Sequence, residues 1–289
     1  MNSAITPLSW LWRLAVCAVV YAAGTMLGVM LATTLGLELP RFPGQVDMTA
    51  QGLLLFPAGL VFSVGLAAMA IGLVGRAWQR WLILAIFLYV INGIGNGIES
   101  ALFTTLGGQI GAAVAFLVPS VACAIAVVLL FPAPAGVGLA QRGAEFLARY
   151  KPVSLAGRTL AAILAFPAIY LVFGGIVSPI VVPHYEALDF LKIPPMSTIL
   201  PVAHLRSVLL LLVSLPIVIG WEGSRSRLIV GLGLGHAAAV GLGGLVQASF
   251  FPAVLRWAHG AEIFADSMVY AWILVLLFAT KSGNVRATE

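Results

Sequence analysis

Charge is the scarcest thing in this chain. Its 289 residues hold 15 Lys and Arg and 10 Asp and Glu, 9% in all, where soluble domains carry roughly 25%. So few charges cannot cover a water-facing surface, which excludes an ordinary soluble domain. The net charge of +5 would suggest nucleic acid on such a surface. Here the basic residues gather in short connections between apolar runs, and no nucleic-acid partner is expected.

Cysteine is almost as rare. Cys17 and Cys123 both sit inside apolar runs without C-x-x-C spacing, so neither a redox pair nor a zinc site is expected, and both read as small hydrophobes. Catalytic signatures are missing as well: no G-x-S-x-G, P-loop, H-E-x-x-H or aspartate-rich pair occurs. No enzyme activity and no cofactor are expected. His236 is the only histidine deep in an apolar run, which argues against a haem held by two histidines.

What the chain has is hydrocarbon. Hydrophobic residues make up 61% and mean hydropathy is +1.08, so most of the chain takes lipid as its solvent. Apolar runs of about 20 residues are the unit that crosses a bilayer. Eight such runs predict an all-α, polytopic helical membrane protein. They cover about 10–35, 53–74, 81–103, 107–131, 159–181, 202–221, 228–251 and 267–280. The first run lacks a basic segment before it and a small-residue cleavage site, so it is expected to be a retained span. Trp10, Trp12, Trp78, Trp81, Trp221 and Trp257 fall near span ends, as an aromatic belt predicts.

Orientation follows from the basic residues. Arg13, Arg76, Arg80, Arg142, Arg149, Lys151, Arg158, Arg225, Arg227, Lys281 and Arg286 fall on one side of the spans. Only Arg41, Lys192, Arg206 and Arg256 fall on the other, a split of 11 against 4. Glu38, Asp47, Glu99, Glu186, Asp189, Glu262 and Asp266 segregate oppositely to the basic residues, against Glu145, Glu222 and Glu289. The expectation is a protein of the cell membrane with both termini cytoplasmic.

The stretch 132–158 divides the chain into two similar halves. It starts rich in Pro and Gly, and residues 139–150 suit a surface helix with Arg142, Arg149 and Lys151 near anionic headgroups. Residues 1–131 and 159–289 each hold four spans, with a Pro-containing loop after the first and a basic loop after the second. Sliding the third span onto the seventh by 148 positions matches Gly93 with Gly241, Gly95 with Gly243 and Phe103 with Phe251, and sets Glu99 on Gln247. Four spans is an even number, so the halves are expected to be parallel repeats about an axis along the membrane normal.

Polar residues inside spans are costly and mark candidate sites. Asn92, Asn96 and Glu99 fall within about 60° on one helix face, and His236 and Gln247 within about 20° on another. Packed about a pseudo-twofold axis, the two stripes would face each other and line a path for a small solute or proton, with His236 a proton-relay candidate. Arg206 and Arg256 are the candidate partners of Glu99. The competing reading is that the asparagines hold helices together and Glu99 reaches to headgroups.

Pro57, Pro119, Pro167 and Pro216 interrupt spans, a device transporters use at binding sites but one common in membrane helices generally. His184, His259 and Glu262 are weak metal candidates, in segments read as exposed loops. The leading expectation is a permease whose path runs between the halves. The rival is a non-transporting assembly or regulatory subunit, and a third is a metal-dependent membrane enzyme. The scarcity of fixed charge favours a neutral or hydrophobic solute.

Overall fold

The computed structural model describes residues 7–42, 48–132 and 138–279. Asp47, the Pro/Gly-rich start of the connector, Thr280, Lys281, Arg286 and Glu289 lie outside the described residues. Nine helices run in order among those described. They are α1 (Pro7–Thr34), α2 (Met48–Ala70), α3 (Ala77–Phe103), α4 (Gln109–Leu130), the short α5 (Leu139–Arg149), α6 (Pro152–Ala187), α7 (Met196–Ile219), α8 (Arg225–Gln247) and α9 (Ala253–Phe278). All except α5 are long and apolar enough to cross a membrane. The chain is an integral helical membrane protein.

Two spans are longer than their apolar runs. α6 begins at Pro152, where the fixed φ of proline suits the first helical turn, rather than near 159. α9 begins at Ala253, not near 267, because the polar segment holding His259, Glu262 and Asp266 is helical and packed into the bundle. The expectation that these groups lie in exposed loops is therefore corrected. A hydropathy window counts a carboxylate against a span and cannot tell whether it faces lipid, loop or cavity.

The fully buried side chains include Tyr21, Phe62, Phe87, Phe131, Tyr270 and Phe278, which belong to one core drawn from both halves. Burial here reflects packing between helices, since lipid supplies no hydrophobic drive for helix association. α2 and α8 lie close together through most of their length. α3 and α7 approach more loosely.

Two β-bridges clamp the ends. At the basic end, Leu73 pairs with Trp221: Val74 N–H donates to Gly220 O (2.9 Å) and Glu222 N–H to Gly72 O (2.7 Å). Gly75 (φ 120°) and Gly223 (φ 138°) then turn the chain into α3 and α8, a left-handed backbone that favours glycine. At the far end Thr104 pairs with Leu191, with Thr105 N–H donating to Phe190 O (2.9 Å) and Lys192 N–H to Phe103 O (2.8 Å).

Arginines close the helix ends on the basic side. Arg13 donates to Leu130 O (2.9 Å) and Arg80 to Phe131 O (2.8 Å) at the end of α4. Arg158 donates to Leu277 O and Arg225 to Ala279 O (2.6 Å) at the end of α9. Each satisfies a carbonyl that helix geometry leaves unpaired and sets positive charge at the negative end of the dipole.

Candidate functional site

α3 and α8 both change winding midway. Tyr89–Gly95 and Ala238–Leu242 are π-helical, and the two segments touch. Asn96 N–H reaches back five residues to Ile91 O, and Gly243 N–H to Ala238 O. Such bulges widen a turn and recur at functional sites. They also break the regular 100° spacing from which the polar stripes were read.

The consequence is two separate polar groups. In the first, Asn96 Nδ2 donates to Asn92 Oδ1 (3.0 Å) and to Ala239 O across the π contact (3.2 Å). The Tyr21 hydroxyl comes toward the side chains of Thr25, Gln247 and Asn92. Gln247 spends a donor on Gly243 O of its own helix (3.3 Å). The structure thus brings Asn92, Asn96 and Gln247 together, but Asn92 is only 3% exposed.

The second group lies around a cavity of about 650 Å³ in the far half of the bundle, lined by α3, α6, α7, α8 and α9. Its walls are mostly apolar. Asn96 and Glu99 reach it; Asn92, His236 and Gln247 do not. Arg206 Nη1 donates to Glu99 Oε1, and its guanidinium lies over the Phe166 ring, 5.6 Å from the centroid. Of the two arginines considered for Glu99, Arg206 is its partner. Glu262 pairs with His259 Nδ1 (2.9 Å), and the Tyr185 hydroxyl lies 3.4 Å from His259 Nε2. Lys192 stands at the rim, its Nζ donating to Ala101 O (3.1 Å). Asp266 lines the cavity with its Oδ1 buried and unpartnered.

Depth follows from helix rise. Arg206 is ten residues into α7 and Asp266 thirteen into α9, so they sit roughly 15 and 20 Å from the far ends of their helices at about 1.5 Å per residue. These charges are inside the span, where an ionisable group is costly unless paired or facing a polar cavity.

His236 is elsewhere. It is 1% exposed, its Nε2 lies 2.8 Å from Ser214 Oγ, and its ring stacks on Phe87 at 5.4 Å. Helix packing explains it fully. Among the described residues no three of His, Cys, Asp or Glu are placed to hold a metal ion; His259 and Glu262 meet each other, and His184 does not join them.

Asp266, Glu262, Tyr170 and Tyr185 were not read as one site from the sequence. A signal existed: Glu262 and Asp266 are four apart, one helical turn, once their segment is taken as helix. No family model matches this sequence, and no curated protein or solved structure is significantly similar to it.

Proposed function

We propose that this membrane protein is a permease that moves a small solute or ion between its two halves. The observation that carries the reading is the cavity of about 650 Å³, a volume within the range of small-molecule sites. In it Asn96 and Glu99 of the first half meet Arg206, Glu262 and Asp266 of the second, at bilayer depth. A purely structural bundle gains nothing from holding five polar side chains around an apolar-walled space.

The halves, 1–131 and 159–289, are read as parallel repeats. Several features recur 148 residues apart: the π segments, the turn glycines Gly75 and Gly223, and the carbonyls of Phe131 and Ala279 held by Arg80 and Arg225. The partners Leu73 and Trp221 are themselves 148 apart, as two positions related by a twofold axis would be. The cavity breaks this symmetry, since it separates α3 from α7 while α2 and α8 remain closely packed. The basic end is read as cytoplasmic, with both termini there. We assign no catalytic role.

A second reading has its own observation. Asn96 spends its donors on Asn92 and Ala239 O, as an interhelical tie in an assembly subunit would. The two readings differ over water. Cysteines introduced singly as Asn96→Cys and Glu99→Cys, in a background with Cys17 and Cys123 replaced by serine, are expected to react with a small hydrophilic thiol reagent in intact membranes. Asn92→Cys and His236→Cys are expected to stay protected. Protection at all four positions would favour the assembly subunit.

A further inference from the structure

The cavity's charges are not all used up, and the remainder points to a ligand. Around it stand three carboxylates (Glu99, Glu262 and Asp266), one guanidinium (Arg206), the rim ammonium of Lys192, and His259. Arg206 is engaged by Glu99, Glu262 by His259, and Lys192 is tied to a backbone carbonyl. Asp266 is left over. It is 6% exposed, and its buried Oδ1 accepts no hydrogen bond among the described residues. A buried acceptor with no donor is a cost that a native site meets with a partner.

Resting on the permease reading, we infer that the cavity takes an organic cation. This would be a primary or secondary ammonium carried on an apolar or aromatic body, with the ammonium donating to Asp266 and the body lying against the rings of Tyr170 and Tyr185.

The chemistry discriminates against the other ligand classes. An anion would meet three carboxylates, and the one guanidinium inside is already bridged. A neutral solute would fit the apolar walls but leave Asp266 without a charged donor. An ammonium supplies two or three donors, pairs with the carboxylate in a low-dielectric setting, and is attracted by aromatic faces. A bare metal ion lacks a ligand set here.

The test uses the purified full chain in lipid nanodiscs and three probes of one size: phenethylamine, 2-phenylethanol and phenylacetate. Binding is measured by calorimetry at neutral pH. The amine is expected to bind at least tenfold more tightly than the alcohol, and the acid not to bind. Asp266→Asn keeps shape and an acceptor; it is expected to lower amine affinity at least tenfold and leave alcohol binding unchanged, which also shows that the cavity is folded.

Equal affinity for amine and alcohol, preference for phenylacetate, or an Asp266→Asn protein that binds the amine as before would each overturn the inference. The cysteine labelling at Asn96 and Glu99 is run on the same preparation. Labelling without amine preference defeats the inference alone, and protection at both positions defeats the permease reading beneath it.

Discussion

Arg206 of α7 donates to Glu99 of α3 and joins the two halves inside the span. The side chains are 8% and 28% exposed, so neither charge is well screened by water. Removing one partner leaves the other buried and uncompensated, which costs about 3–5 kcal/mol, whereas replacing both by apolar groups is often neutral. Glu99→Ala is therefore expected to lower stability strongly in detergent unfolding experiments, and Glu99→Gln less, because the amide still offers an acceptor. The double variant Glu99→Leu/Arg206→Leu is expected to recover most of the loss. Additive losses in the double variant would mean that the pair is not coupled.

His236 packs where a relay residue was considered, and its contacts lead to a different expectation. It meets Ser214 through Nε2, lies face to face with Phe87, and has Tyr270 5.8 Å away. His236→Ala removes a buried ring and a hydrogen bond, for which a loss of about 2–4 kcal/mol is expected. Ser214→Ala is expected to cost about 1 kcal/mol, and the two effects should be less than additive, since they remove the same contact. Unfolding midpoints of the single and double variants check this. An unchanged midpoint for His236→Ala would show that the ring is not packed as described.

Much of the fold was legible because lipid imposes a coarse rule. Every span must be helical and apolar, so eight runs in the sequence became eight long helices. The site was less legible. Asn96 and Glu99 were found because they interrupt an apolar run, and Arg206 because it is a rare charge on the less basic side. Asp266 and Glu262 were lost to a loop because their charges lower local hydropathy, although both face a cavity. The stripe of Asn92, Asn96 and Glu99 was read at a constant 100° step, and the π segment divides it between an enclosed cluster and the cavity. No propensity in YVINGIG or AAVGL announces a π turn; the glycines permit it, and the contact between α3 and α8 selects it.

Topology gives the broadest test. Reporter fusions after Ala70, Leu130, Ile219 and Phe278 are expected to read cytoplasmic, and fusions after Thr34, Phe103, Ala187 and Gln247 external. The arginine caps on α4 and α9 raise the stakes at one end, since Arg13, Arg80, Arg158 and Arg225 must all lie on the same side as the last turns of those helices. A fusion after Leu130 that reads external would invert this arrangement and exclude the orientation.

The π turn of α3 can be tested by removing it. A π segment holds one residue more per turn than the helix around it, so deleting Ile94 should let residues 89–95 close as ordinary α-helix. Everything beyond then rotates by about 100°. Glu99 leaves Arg206 and the cavity wall, while Tyr89 and the basic end stay in place. In this background Glu99→Gln is expected to have no further effect on stability, because the pair is already broken, and Asn96→Cys should lose its reactivity toward hydrophilic reagents. Inserting an alanine after Gly97 in the deletion variant restores the register of Glu99 and is expected to restore its coupling to Arg206. If the deletion alone leaves that coupling intact, the extra residue does not set the position of Glu99, and the winding of α3 has no part in building the site.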